Sequence, residues 1–266
     1  MEVIFLDLDD PAIGLSPTMA EAMVVSRPDP GPCDHRPTLA LVRRQRPYAL
    51  LGPRDLRLPR LADGVAFLAR RGLPVYRRIG GGSLVVLDED CLSFALAWPC
   101  RNPAHVGSSA GALGAPVLAG LRALGVPPRM GAARGSYCEG PSDLVADDGR
   151  KVAGMSVALR GGWALVSGML LVRQDSAYAT GIVAGFEAAA GGLRRYDPRA
   201  VTSLEATLGR SLEVEEVVER LLEAIAAWAG AAGDRGAVRP PDRRERASAA
   251  ALTALRRAAP PDRAEA

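Results

Sequence analysis

Lysine is almost missing from this chain. Lysine and arginine together number 33 in 266 residues, and Lys151 is the single lysine. An ammonium is a compact charge that can give up its proton, whereas a guanidinium is spread out and stays charged. A lone lysine in an arginine background therefore marks position 151 for a specific task, beside the plainer reading of a chance survivor. Histidine is nearly as scarce, with His35 and His105 alone, which restricts chemistry that relies on an imidazole base. Aromatic residues make up 5% against 48% apolar residues, so the core is expected to be aliphatic. No run approaches the ~20 apolar residues of a membrane span. The start, MEVIFLDLDDP, is acidic and strand-like, unlike the basic start of a secretory signal. Cys33, Cys91, Cys100 and Cys138 lie far apart with no C-x-x-C spacing, which reads as thiols kept reduced in the cytoplasm. Cys33 with His35 lacks the further ligands a zinc site needs, so no metal is expected. A net charge of +3 does not require nucleic acid or membrane as a partner.

What is present fits one large α/β or α+β domain. Strands are expected over 2–8, 38–43, 48–52, 74–79, 83–88 and 92–98. The runs 38–43 and 48–52 read as neighbours, as do 83–88 and 92–98. A meander is expected over 143–147, 150–158 and 163–172, turning at Asp148-Gly149 and Gly161-Gly162. Helices are expected from Ser16, over 58–72 (apolar Leu61, Val65 and Leu68 on one face), over 111–124 and around 177–188. Residues 28–36 read as a loop. Residues 202–229 read as a small helical segment with Ser211 as a cap and a stripe from Val214 to Ile225. After Gly230 the composition turns to Ala, Arg and Pro; a short helix over 243–258 and disorder both remain open.

The stretch RGSYCEGPSDLVADDGRKVAG carries the chemistry. Cys138 stands in a Gly/Ser/Pro-rich loop between Tyr137 and Glu139, unlike the apolar surroundings of a structural cysteine. A thiol becomes a nucleophile when its thiolate is stabilised, for instance by a nearby cation. A straight strand from 138 to 146 would carry the thiol roughly 27 Å from the turn, at ~3.4 Å per residue. Gly140-Pro141 is expected to fold the loop back and bring the thiol to Lys151. Gly80-Gly81-Gly82 offers either a plain bulge or a close backbone approach to a ligand. Arg77 and Arg78 before it read as a solvated pair on their own. Arg54, Arg57, Arg60, Arg70 and Arg71 form a solvated face or, alternatively, a docking patch for an acidic protein.

Three stretches then carry a resemblance: LLGPRDLRLPRLADGVAFLARRGLPVYRRIGGGSLVVLDEDCLSFAL, GSYCEGPSDL…DGRKVAGMSVALRGG and TSLEATLGRSLEVEEVVERLLEA. Together the chain resembles the biotin/lipoate ligase and lipoyl transferase superfamily, nearest to its cysteine-dependent lipoyl/octanoyl amidotransferases. The resemblance implies a mixed central β-sheet flanked by helices around an acyl tunnel. It implies a catalytic domain over 1–200, a helical segment of that domain over 201–229, and a tail over 230–266. It makes Cys138 the nucleophile and Lys151 the lysine of a G-R-K-x-A-G element. It places Arg78, Gly80, Gly81, Gly82, Ser136, Tyr137 and Gly154 around the substrate. The implied reaction is transfer of an octanoyl or lipoyl group through a Cys138 thioester, without metal or nucleotide. Its implied partners are lipoyl carriers: glycine-cleavage H protein or acyl carrier protein, and E2 lipoyl domains of 2-oxoacid dehydrogenases. The sequence departs from the family pattern at Gly80 (often Ser), Leu87 (His in ligases), Glu139 (commonly Pro) and the missing Gln after Gly154. Two other readings are an ATP-dependent lipoate–protein ligase that does not use Cys138, and a non-catalytic module that binds lipoyl carriers.

Overall fold

The computed structural model describes residues 2–7, 38–43, 46–100, 106–231, 237–239 and 242–258. The expected helix at Ser16, the loop 28–36, the Cys33–His35 pair and His105 lie outside the described residues.

Two sheets, rather than one, organise the core. The larger has eight strands in the order β11-β1-β2-β6-β10-β9-β8-β7. These are β1 (Glu2–Asp7), β2 (Thr38–Arg43), β6 (Cys91–Pro99), β7 (Arg129–Met130), β8 (Leu144–Val145), β9 (Lys151–Arg160), β10 (Trp163–Leu171) and β11 (Ala237–Arg239). The β11-β1-β2 part is parallel and the rest antiparallel. The smaller sheet, β4-β3-β5, joins β3 (Tyr48–Leu51), β4 (Val75–Arg77) and β5 (Val85–Leu87). Two expected pairings are therefore corrected. Strands β2 and β3 belong to different sheets, and so do β5 and β6. The Asp88–Asp90 turn carries the chain across, with Asp88 accepting the Asp90 amide at 3.1 Å. Alternation reveals a strand, but its partner depends on distant chain.

The meander follows its turn residues. Gly161 and Gly162, both at positive φ, close the β9–β10 hairpin with Arg160 opposite Trp163. Between β8 and β9 the register shifts: Val145 faces Lys151 and Leu144 faces Ala153. This bulge re-aims the side chains at the start of β9.

Helices cover both sheet faces. α1 (Leu61–Ala69) and α2 (Val106–Ala123) are shorter and longer than expected, respectively. α3 (Ser176–Ala189) is capped by Asp175, which accepts from the Ala177 and Tyr178 amides. α1 and α3 interlock through glycines: Phe67 occupies the space beside Gly185, and Phe186 that beside Gly64. α4 (Leu204–Leu208) is capped by Ser203, and Ser211, the expected cap, lies in the connection between α4 and the helix that starts at Val214. Ser203 stands directly ahead of α4, where its oxygen reaches the Ala206 amide. α5 (Val214–Ala231) buries the stripe Val214, Val217, Val218 and Leu221 against α2 and the large sheet. In the tail, β11 pairs with β1, and α6 (Arg243–Arg256) begins with an Asp242/Glu245 capping box. Ala249 and Leu252 of α6 pack on Trp163, Leu165, Ala40 and Val42, so helix prevails where the sequence leaves helix and disorder open.

Candidate active site

Between the two sheets the large sheet presents small residues where a core would carry bulky ones. Ala40, Ser93, Ala95, Gly154, Ser156 and Ser167 leave a narrow cavity of about 100 Å³, faced by Tyr48, Leu50, Val85 and Leu87 of the small sheet. Cys138, Lys151, Arg78 and Tyr137 also line it. Ser156 and Ser167 face each other across β9 and β10, with hydroxyls 3.2 Å apart.

Cys138 is brought to the cavity by a backbone turn. Its φ is +50°, the one positive value among described non-glycine residues. The left-handed region costs a side chain roughly 1–2 kcal/mol, so neighbouring contacts must hold it there. Asp143 supplies them: its carboxylate accepts the Gly140 amide at 3.0 Å, and its amide donates to the Gly140 carbonyl at 3.2 Å. The Gly140-Pro141 segment thus folds back, and Lys151 meets the loop. Lys151 Nζ lies 2.9 Å from Asp143 Oδ1 and donates to the carbonyls of Tyr137 and Cys138, both at 3.1 Å. Its three N–H hydrogens are all committed. The pair is buried, at 2% and 1% side-chain exposure. Burial pushes the Asp143 carboxyl up, against the pull of Lys151. Gly154 makes room for the amine: a Cβ there would sit 3.2 Å from Lys151 Nζ.

The thiol itself meets two donors. The Ser83 amide lies 3.3 Å from Cys138 Sγ and Arg78 Nη2 lies 3.4 Å away. Burial raises the thiol pKa, but Arg78, Lys151 and the Ser83 amide outweigh it, and the net shift is downward. Arg78 is fixed by the carbonyls of Leu50, Gly81 and Ser83. It is therefore an inward member of the site, whereas Arg77 is exposed.

The glycine triplet divides its work. Gly80 lines the cavity, and a Cβ there would overlap Ser156. Gly82, at φ +99°, lets the thiol approach: its Cβ would lie 2.5 Å from Cys138 Sγ. Gly81 is exposed and outside the cavity lining, because it sits at the turn where its carbonyl faces Arg78. Ser136 is likewise outside this cavity. Tyr137 is fully buried, its hydroxyl donating to Gln174, which binds Asp88 in turn.

Asp143, the Ser83 amide and the Ser156–Ser167 pair escape a reading of the sequence. A buried lone lysine needs a counter-ion, so the carboxylate in GPSDL is the available signal for the first. Nothing local marks the others. Among the described residues no cluster of His, Cys, Asp and Glu is arranged to hold a metal, and no helix is long and apolar enough to cross a membrane.

The two-sheet architecture with a thiol over an apolar cavity defines a protein of the α/β class whose fold is that of lipoate protein ligases. It superposes on lipoate-protein ligase A bound with ATP with a TM-score of 0.72 at 17% identity, covering 95% of this chain and 94% of the other. It also matches a bi-partite lipoate protein ligase from Thermoplasma acidophilum, solved in a study of that ligase and its E2 lipoyl domain. There the TM-score is 0.68 at 17% identity, covering 95% and 91%. Residues 27–226 match the lipoyl protein ligase A/B catalytic domain, and the chain belongs to that family. It is 32% identical over 178 residues to an octanoyl-[GcvH]:protein N-octanoyltransferase of Exiguobacterium sp., covering 64% of this chain and 63% of that protein. The like-named protein of Geobacillus kaustophilus is 30% identical over 189 residues, covering 68% and 66%. The match thus spans just under two thirds of these relatives' length.

Proposed function

We propose that the chain transfers an octanoyl or lipoyl group between lysines of lipoyl-carrier proteins through a thioester on Cys138. One observation carries this reading: a thiol with a depressed pKa stands beside Arg78 and Lys151 at the wall of an apolar cavity between the sheets. The acyl chain lies in that cavity. The thiolate attacks the carbonyl of the donor; from an octanoyl-lysine amide on an H protein the C–N bond breaks and the amine leaves with a proton from water, and from an acyl carrier protein thioester the C–S bond breaks and the carrier thiol leaves. An acceptor lysine amine then attacks the thioester, forms the new amide and releases the thiol. Splitting one transfer into two lowers each barrier. Lys151 has no N–H to spare for the oxyanion. It acts by charge, favouring the thiolate and holding the Tyr137 and Cys138 carbonyls in place. The Ser83 amide is the backbone donor nearest the sulfur.

The scheme uses neither metal nor nucleotide. Its partners are an H protein or acyl carrier protein as donor and an E2 lipoyl domain as acceptor, in a cytoplasm that keeps the thiol reduced. Intact-mass spectrometry after mixing with an octanoylated H protein tests it. The enzyme should gain one octanoyl unit, and Cys138→Ser should lose both that adduct and transfer to the lipoyl domain. Transfer that survives Cys138→Ser and requires ATP with free octanoate would overturn the reading in favour of a ligase. Carrier binding with no turnover would overturn it in favour of a binding module.

A further inference from the structure

Cys138 belongs to two cavities and is the one residue common to both among the described residues. The second, of about 460 Å³, is more polar than the first and lies among Ser83, Ser136, Glu139, Arg54 and Arg195. Ser83 and Ser136 are 1% and 2% exposed, and their hydroxyls have no hydrogen-bond partner in the structure. A buried hydroxyl left unpaired costs about 1–3 kcal/mol, so the two serines that line this cavity with Cys138 give its wall polar groups that the protein itself does not satisfy. Glu139 is exposed and receives the Gly135 amide on Oε2 at 3.0 Å, leaving Oε1 available.

The rim carries charge of the other sign. Arg194 is committed, at 2.7 Å to Glu187 and 3.3 Å to Asp55. Arg54 and Arg195 are exposed and form no ion pair among the described residues. Beside them Leu56 and Leu193 are 45% and 94% exposed, a contact surface for a protein rather than a small molecule.

We propose that this second cavity is the entrance for the carrier lysine, and that the carrier segment bearing it is acidic. Arg54 and Arg195 bind carboxylates flanking the lysine. Glu139 pairs with the ammonium as it nears the sulfur. Acyl chain and amine thus reach Cys138 through separate openings. This entrance presupposes the transfer reaction, and its test keeps the two apart.

The probe is a purified apo lipoyl domain, with binding measured by titration calorimetry in the absence of any acyl donor. Arg54→Glu/Arg195→Glu should weaken binding at least about tenfold, a loss of ~1.4 kcal/mol, and flatten its salt dependence. Binding should fall far more than the rate at which a small octanoyl thioester acylates Cys138. A domain whose acidic residues beside the lysine are amides should lose a similar factor against the native enzyme. Glu139→Gln should slow hand-over from preformed acyl-Cys138 to the domain. Undiminished binding in the double variant, or equal binding of the amide-bearing domain, would overturn the proposal. If the native thiol never acylates, the transfer reading falls while the calorimetry still decides this one.

Discussion

The two cavities that meet at Cys138 are built in opposite ways. One lies between packed sheets, its room created by what the side chains omit: Ala40, Ala95, Gly154 and the serines of β6, β9 and β10. The other is made by loops, around 54, 83, 132–141 and 194–196, and its character comes from charges and unpaired hydroxyls. A cavity framed by strands keeps its shape and selects by length and width. One framed by loops and arginines selects by charge. On the proposed reading, the difference lets a single thiol serve two substrates, because each side of it recognises a different property.

The largest effect should come from breaking the joint between the two. Lys151→Met leaves the Asp143 carboxylate buried without its cation, which typically costs 3–5 kcal/mol. With the cation gone, the Asp143 pKa rises further in the folded state. The loss should therefore grow as pH rises through that raised value and shrink in acid, where the carboxyl is neutral. Denaturant unfolding across pH checks this, and Lys151→Met/Asp143→Leu should recover much of the stability. A flat pH profile would remove the ion pair from the account.

A smaller effect separates the cavities by size. Ser167→Leu fills the inter-sheet cavity from β10, so octanoyl transfer should fall by about 10- to 200-fold while a two-carbon acyl thioester still acylates Cys138. Equal loss for both donors would show that the acyl chain lies elsewhere.

The smallest concerns the thiol itself. Arg78 is the strongest of the groups lowering its pKa. In Arg78→Gln the thiol should titrate at higher pH, so its alkylation rate at pH 7 should drop by roughly threefold or more and the midpoint of the rate–pH profile should move up. Arg78→Lys should keep the native midpoint. A variant that holds its midpoint would shift the credit to Lys151 and the Ser83 amide.

Much of this is legible in the chain itself. Cys138 stands out because its loop is made of Gly, Ser and Pro, and Lys151 because no other residue in the chain can replace it. The elements follow from periodicity and from Gly161-Gly162. The pairings do not: nothing near β2 or β5 says that the strands adjacent in sequence lie in different sheets. Asp143 and Ser83 escape for the same reason, since each acts on a partner, Lys151 or Cys138, reached only through the folded loop.

The sequence by itself determined which atoms are available: one ammonium, one loop thiol, a glycine triplet and runs of the right period. Local chemistry suffices for that, because propensity, turn geometry and side-chain identity are properties of short segments. Only the tertiary structure decided where those atoms point. It set the thiol at φ +50° beside Gly82, tied the ammonium to Asp143, and opened the sulfur to two cavities. Such placements depend on how the 138–151 loop folds back on itself and on its contacts with Arg78, Gly82 and Ser83 far away in the chain, and neither is a property of a short segment.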